Sequence, residues 1–120
     1  QQNITSGIPN DLNDVIITYL QLDKIQLPTK LKLNQNYPNP FNPITTISYE
    51  IASDGFVKVT IFDMNGKEVK TLIENTQVSG KKSVIWNATD NSHKPVSAGL
   101  YIYKIQNEGI TKTRKMVLLK

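Results

Sequence analysis

The sequence predicts an all-β protein, an immunoglobulin-like antiparallel β-sandwich of about seven strands with an extended N-terminal arm. Apolar and polar residues alternate in short runs from residue 44 onward, and turn signals separate these runs at intervals of about ten residues. Helical periodicity is missing from the same region. The length of 120 residues suits one domain. We expect residues 31–120 to form the sandwich and residues 1–30 to form an arm or linker.

Six strands are expected between residues 44 and 119, each an alternating run bounded by a turn signal. They cover residues 44–51, 56–63, 67–73, 83–88, 100–106 and 110–119. In the second strand the alternation points Thr60 outward. Asn65-Gly66 predicts a hairpin to the third strand, after which residues 74–82 form a polar connection. Residues 100–103 and 116–119 are apolar at successive positions, which predicts a packing partner for both faces of the last two strands.

The arm contains one further candidate strand, residues 14–23. The run 15–19 is β-branched and aromatic, which favours a strand, although the apolar spacing also fits a helix that begins after Asn10 or Asp11. Four prolines between residues 28 and 43 predict that no regular element forms there. Pairing of the candidate strand with the same chain or with a neighbour would use its apolar residues. These are Val15, Ile16, Ile17, Tyr19, Leu20 and Leu22.

The composition argues against a catalytic or metal-binding protein. Cysteine is absent, and the single histidine, His93, cannot form a multi-histidine zinc site. Catalytic motifs, phosphate loops and paired carboxylates are missing too. The run Asp90-Asn91-Ser92 lacks the calcium-loop pattern and predicts an Asx-type turn. We therefore expect no enzymatic activity, no cofactor, no metal and no small-molecule substrate.

The charge is positive but is not arranged as in a nucleic-acid-binding protein. The net charge is +4, from 13 lysines and one arginine (Arg114) against 10 acidic residues. Residues 31–120 hold 12 of the basic groups and 7 of the acidic ones. Lysines scattered over strands are typical of protected sheet edges, so we expect no nucleic-acid partner. The chain also lacks an apolar run of the length that a membrane-spanning helix needs, so we expect it not to span a membrane.

A set of motifs occurs in a characteristic order along residues 31–120. They are 36–43 (NYPNPFNP), 45–49 (TTISY), 57–63 (VKVTIFD) with 66–69 (GKEV), 86–90 (WNATD), 95–101 (PVSAGLY) and 115–120 (KMVLLK). In this order they resemble the C-terminal sorting domain (type A) of the type IX secretion system. The sequence is also similar to the immunoglobulin-like domain of flagellar hook-capping proteins. One departure is His93, where the sorting-domain family usually has glycine.

The resemblance implies a sorting signal rather than an enzyme. Such domains direct export across the outer membrane of Gram-negative, Bacteroidota-like bacteria, and surface attachment or removal follows. The expected partner is the secretion machinery at the outer membrane, and the expected location is secreted or cell-surface. The motif residues to which it gives a structural role are Pro38, Asn39, Pro40, Phe41, Asn42, Gly66, Trp86, Gly99 and Tyr101.

The end of the last strand is the candidate docking site, because the resemblance implies that the machinery reads it. A cationic rim beside an apolar edge strand suits docking by strand addition. An equally open interpretation is that the lysines only guard a sheet edge. The docking residues are Lys112, Arg114, Lys115, Met116, Val117, Leu118, Leu119 and Lys120.

The aromatic residues have structural interpretations that compete with ligand binding. We expect Phe41 to plug the end of the sandwich and Trp86 to lie in the core rather than to serve as a sugar platform. Tyr101 and Tyr103 are expected to form a cross-strand pair in or over the core.

A second function stays open at this point. Six strands are one fewer than the usual seven, so residues 14–23 are a candidate donor strand for a neighbouring sandwich. The protein would then be an extracellular structural subunit that polymerises into a fibre, with identical subunits as its partners.

Overall fold

Two antiparallel sheets face each other in the computed structural model, which describes residues 31–120. Seven strands build them: β1 (Lys32–Leu33), β2 (Thr45–Ile51), β3 (Gly55–Asp63), β4 (Glu68–Gln77), β5 (Gly80–Trp86), β6 (Gly99–Asn107) and β7 (Ile110–Leu118). One sheet has the order β1-β2-β5, and the other has the order β4-β3-β6-β7. The all-β class and the immunoglobulin-like sandwich predicted from the sequence are confirmed.

The alternation that predicts the strands also determines which residues form the core. In β2 every second residue is buried from Thr45 to Ile51, and in β6 Tyr101, Tyr103 and Ile105 face inward. Inward residues from both sheets join one apolar cluster. Complete burial of a large aliphatic side chain contributes about 1.5–3 kcal/mol, so these alternate positions are the main source of stability. The largest fully buried side chains are Trp86, Tyr49, Tyr103, Phe41, Leu31 and Ile47.

Thr60 in β3 is an exception to the predicted alternation. The sequence predicts that it points to solvent, but it is 1% exposed, and its Oγ1 makes no hydrogen bond within the described residues. The cause is its position on a central strand, with Thr71 of β4 on one side and Lys104 of β6 on the other. A register shift after Val59 also interrupts the pairing of β3 with β4 at this point. The prediction of an exposed Thr60 was therefore wrong.

The hairpin predicted at Asn65-Gly66 forms and joins β3 to β4. Gly66 has φ of 83°, a conformation that glycine adopts without strain. The Asp63 carboxylate stabilises the turn by accepting the backbone N–H groups of Asn65 and Lys67 at 2.9 and 3.0 Å.

The polar connection expected at residues 74–82 is mostly strand instead. β4 continues to Gln77 and β5 begins at Gly80. Backbone pairing with Gly55, Phe56 and Val57 of β3 holds the polar end of β4 in the sheet. An edge strand with a solvated face tolerates polar residues, so polarity alone was a misleading signal here.

The first strand lies in a segment that was expected to be irregular. Lys32 and Leu33 pair with Glu50 and Tyr49 of β2, and the N–H of Asn34 continues the pairing by donating to Ser48. No proline lies between residues 29 and 37, so these backbone N–H groups are available. β1 supplies the seventh strand of the sandwich. The predicted strand over residues 14–23, with the rest of the arm, lies outside the described residues.

The last two strands bury one face only, contrary to the expectation of two covered faces. Met116 and Leu118 are fully buried, whereas Leu100 and Leu119 are 46% and 50% exposed. The outer face of the four-stranded sheet has no second layer among residues 31–120. The apolar character of these stretches therefore did not predict a second packing partner.

Candidate docking edge

β7 is the edge strand of the four-stranded sheet, and it pairs with β6 without interruption from Ile110 to Leu118. In an antiparallel pair, alternate residues direct their backbone groups away from the neighbouring strand. Val117 is one of these, because its N–H and C=O bond to Asn39 and Phe41 rather than to β6. By the same alternation, the backbone groups of Thr111, Thr113 and Lys115 also point outward.

The second half of this edge is capped by the proline-rich segment. The N–H of Phe41 donates to the carbonyl of Val117 at 3.0 Å, and the N–H of Leu119 donates back to Phe41 at 2.9 Å. The side chains of Asn39 and Gln35 complete the cap, since Asn39 Oδ1 accepts the N–H of Val117 and Gln35 Nε2 donates to the carbonyl of Lys115. We call residues 115–119 the capped half of the edge and residues 110–114 the open half.

Two buried polar side chains fix the proline-rich segment in place. Asn36 donates through Nδ2 to Thr45 Oγ1 at 2.9 Å and to the carbonyl of Pro38 at 3.1 Å. The hydroxyl of Thr45 donates to the same carbonyl at 2.8 Å. Both side chains are buried, so the segment has a definite position against the sandwich. The peptide bonds before Pro38, Pro40 and Pro43 are cis.

An aromatic cluster closes the same end of the sandwich. Phe41 and Trp86 have ring centroids 5.7 Å apart, and Trp86 meets Tyr101 edge to face at 5.3 Å. Trp86 Nε1 donates to the carbonyl of Thr89 at 2.9 Å, which satisfies its polar atom. All three rings are at least 95% buried. Trp86 thus lies in the core and offers no surface for a sugar, and Phe41 seals the end of the sandwich.

Tyr101 and Tyr103 do not form the expected cross-strand pair. They lie two positions apart on the same face of β6, and the aromatic contact of Tyr101 crosses to the other sheet. The hydroxyl of Tyr103 donates to the carbonyl of Asn34 at 2.6 Å and accepts the N–H of Asn36 at 2.8 Å. Burial raises the pKa of Tyr103, while the Asn36 hydrogen bond and the charge of Arg114 act in the opposite direction.

The predicted docking residues divide into an exposed and a buried group. Met116 and Leu118 face the core and are at most 1% exposed, so they act from inside the sandwich. Val117 is partly buried on the outer face. The exposed group consists of Lys112, Arg114, Lys115, Leu119 and Lys120. The exposed part of the predicted docking residues is therefore a basic surface with one leucine.

A cleft of about 530 Å³ separates the open half of β7 from β1. Arg114 bridges the two sheets there, because its Nε donates to the carbonyl of Leu33 at 2.7 Å. The lining carries three positive side chains and no carboxylate. Its residues are Lys32, Leu33, Asn34, Lys112, Thr113 and Arg114.

The loop after the tryptophan strand forms the predicted Asx-type turn. The Asp90 carboxylate accepts the backbone N–H groups of Ser92 and Lys94 at 2.8 and 3.0 Å. The hydrogen bond from Lys94 is the main reason that the pKa of Asp90 is lowered. His93 has φ of 64°, a conformation that favours the glycine usual at this position in the resembled family. Its imidazole is exposed.

Among residues 31–120 no three His, Cys, Asp or Glu side chains group closely enough to hold a metal ion. The same residues contain no helix with the length and apolar character to span a membrane.

Sequence reasoning missed the residues that close the edge. The motif 36–43 is visible in the sequence, but nothing in it shows that Gln35 and Asn39 hydrogen-bond to β7, about 80 residues later. One polar residue before the proline-rich segment and one within it are the only local signals, and they do not specify a partner. Arg114, the single arginine, was identified by its type, but its contact with Leu33 was not.

Comparison with known proteins shows which family the sequence matches and which solved structures have a similar fold. The sequence profile of the secretion system C-terminal sorting domain matches residues 35–119. No curated protein sequence matches the chain at a significant level.

Three solved structures illustrate the likeness in fold. PorU from Porphyromonas gingivalis aligns with a TM-score of 0.63 and 20% identity over 77% of this chain and 9% of that one. PorZ, a surface component of the type IX secretion system of the same organism, aligns with a TM-score of 0.51 and 21% identity over 72% of this chain and 11% of that one. FlgD from Xanthomonas campestris, a flagellar hook-capping protein, aligns with a TM-score of 0.52 and 24% identity over 72% of this chain and 64% of that one. The chain thus spans about a tenth of PorU and PorZ.

Proposed function

Because the chain belongs to the family of type IX secretion system C-terminal sorting domains, we propose that it directs an attached protein through that secretion system to the cell surface. The observation that carries the proposal is the family match over residues 35–119, which takes in nearly every residue that the structure describes. This family consists of sorting signals rather than enzymes.

The signal that we propose is the folded end of the sandwich at β7. The proline-rich segment, the aromatic cluster and the terminal strand all meet there, and exposed basic residues lie along the same strand. Lys112, Arg114 and Lys115 present positive charge from three nearby positions of one edge strand. Charge of one sign on a surface accelerates encounter with a partner of the opposite sign. The partner that we propose is the secretion machinery at the outer membrane of a Bacteroidota bacterium.

The fibre-forming alternative loses its main support. It depended on a sandwich one strand short, and β1 supplies the seventh strand from Lys32 and Leu33. The proposed donor residues lie outside the described part of the chain. We therefore carry forward the sorting function alone.

Secretion of a reporter tests the proposed function. The full chain is fused to the C-terminus of a periplasmically folded reporter in a Bacteroidota host that has the type IX system, and in a mutant host that lacks it. We expect the reporter outside the cells of the first host and inside those of the second. Retention in both hosts, or release from both, would refute a sorting function.

Charge reversal then tests the docking residues without disturbing the core. Deleting residues 116–120 would remove the buried Met116 and Leu118 and would confuse unfolding with loss of the signal. The double variant Lys112→Glu and Lys115→Glu changes only exposed side chains. We expect export to fall about tenfold or more, as for a loss of electrostatic complementarity. The matched control reverses Lys67 and Lys94, which are also exposed but lie in loops away from β7. Equal export of the two double variants would rule out the docking role.

A further inference from the structure

We propose that the open half of β7, residues 110–114, binds an extended acidic peptide of a partner protein by strand addition. This inference rests on the proposed sorting function, because it specifies which part of the docking edge a partner uses and what chemistry that partner has. The capped half is unsuitable, since Asn39, Phe41 and Gln35 already occupy its outward backbone groups.

The backbone of the open half provides the first argument. Thr111 and Thr113 direct their N–H and C=O groups away from β6, and no residue in the described part of the chain hydrogen-bonds to them. An exposed edge with unpaired groups is a template for another strand. The open half is about 17 Å long at the usual rise per strand residue, so it accommodates an added strand of about five residues.

The charge of the neighbouring cleft provides the second argument. Lys32 approaches from β1, while Lys112 and Arg114 project from β7 toward the same space. Among residues 31–120 the only ion pair joins Lys58 and Glu74, so no described carboxylate neutralises these three cations at salt-bridge distance. A strand placed here would bring its side chains close to all three. Carboxylates are the groups that form charge-assisted hydrogen bonds with them.

The register of the strands specifies the sequence pattern of the partner. Lys112 and Arg114 are opposite the inward residues Ile105 and Tyr103, so they share the inner side of the sheet at its edge. Thr111 and Thr113 lie on the other side. An added strand would therefore place every second residue next to the cations, about 7 Å apart. Glutamate or aspartate at alternate positions, with threonine or valine between them, is the pattern that fits.

A peptide titration with the 120-residue chain tests the proposal. The probe is a fluorescein-labelled synthetic peptide that alternates glutamate with threonine and valine, and its counterpart has lysine in place of glutamate. We expect the acidic peptide to bind more tightly by about tenfold or more and to lose affinity as salt rises from about 0.05 to 0.5 M. Equal binding of the two peptides, or no binding of the acidic one, would overturn the proposal.

Variants separate the backbone argument from the charge argument. Thr113→Pro removes an N–H that points away from β6, so the ladder between β6 and β7 stays complete. Thr113→Val keeps the N–H and is its matched control. Lys32→Glu with Lys112→Glu reverses the charge of the cleft, and reversal of Lys67 and Lys94 is the control. We expect Thr113→Pro and the cleft variant to weaken acidic-peptide binding about tenfold or more, with no change in either control.

Other results decide against the proposal or against its premise. If Thr113→Pro fails to fold, the cleft variant still gives a decision, and unchanged binding in that variant would overturn the inference. Export of the reporter fusion distinguishes failure of the acidic-partner inference from failure of the sorting function. A fusion that is exported normally with the cleft charges reversed contradicts only the acidic partner. A fusion of the unaltered chain that is never exported contradicts the sorting function itself.

Discussion

Asn39 accepts a hydrogen bond from the backbone N–H of Val117 at 3.0 Å, although the two residues are 78 positions apart in the chain. A side-chain oxygen thus occupies the place that a carbonyl of a further strand would take. Together with the backbone bonds of Phe41 to Val117 and Leu119, it occupies this half of the edge and leaves the first half of β7 as the part where another chain can add.

Replacement of Asn39 by alanine should uncover the capped half of the edge. We expect the amide of Val117 to exchange its hydrogen faster and the domain to lose about 1 kcal/mol of unfolding free energy, the net value of one such hydrogen bond. Hydrogen exchange measured by NMR and urea denaturation report the two effects. Asn42→Ala is the control, because Asn42 lies in the same motif and its side chain makes no hydrogen bond within residues 31–120. Equal effects of the two variants would show that Asn39 does not cap β7.

Loss of the Tyr103 hydroxyl should destabilise the domain more than loss of the Tyr101 hydroxyl. Tyr103→Phe leaves the carbonyl of Asn34 and the N–H of Asn36 without their partner, which we expect to cost about 2–4 kcal/mol. Tyr101→Phe removes a single hydrogen bond, to the carbonyl of Ser97, and should cost about 1 kcal/mol. Urea unfolding measures both. A Tyr103→Phe variant as stable as the parent would mean that water replaces the lost hydroxyl.

Stability should fall in alkaline solution because two buried phenols resist ionisation. Burial raises the pKa of Tyr49 and of Tyr103 above the usual value of about 10. The contribution of the two protonated phenols to stability is therefore fully present below about pH 10. It is lost as the pH rises from there through the folded-state pKa values, because the unfolded chain releases these protons first. Urea unfolding as a function of pH checks this.

The double variant Tyr49→Phe and Tyr103→Phe removes both phenols and is the control for this prediction. We expect its stability to decline less steeply above pH 10 than that of the parent. Parallel declines in the two proteins would show that the two phenols are not the cause of the alkaline loss.

The turn between β6 and β7 contains a correctable strain. Glu108 and Gly109 have φ of 49° and 79°, so both central residues adopt the left-handed conformation of a type I′ turn. Asparagine tolerates this conformation better than glutamate, so Glu108→Asn should raise the unfolding free energy by about 0.5–1 kcal/mol. Gly109→Ala, at the other central position, should lower it. Thermal unfolding of the two variants gives the signs, and a destabilised Glu108→Asn would contradict the strain.

The alternation of residues was sufficient to predict the long strands, because burial on one face imposes a period of two. Ile47, Tyr49 and Ile51 were placed correctly for this reason. A strand of two residues has no measurable period, so β1 was missed at Lys32 and Leu33. The end of β4 was missed because its polar residues are held by backbone pairing, which does not depend on side-chain type.

The candidate site was predictable in its residues but not in its arrangement. Basic residues beside an aliphatic terminus are visible in the sequence, whereas the division of β7 into a capped and an open half depends on distant contacts. Gln35 and Asn39 contact β7 because the fold brings together positions 80 and 78 residues apart in the sequence. Thr60 shows the same limit, because its burial follows from the two strands that flank it.

The contacts that join residues 33–41 to β7 make the fold sensitive to loss of its last strand. Arg114 bonds to Leu33 and Lys115 to Gln35, and Leu118 bridges to Phe41. If the ribosome releases the chain before it adds Met116, the aromatic cluster loses part of its cover and one sheet loses an edge. Such a fragment would expose apolar surface that proteases recognise. The stability of the domain thus depends on a chain that has been made as far as the end of β7.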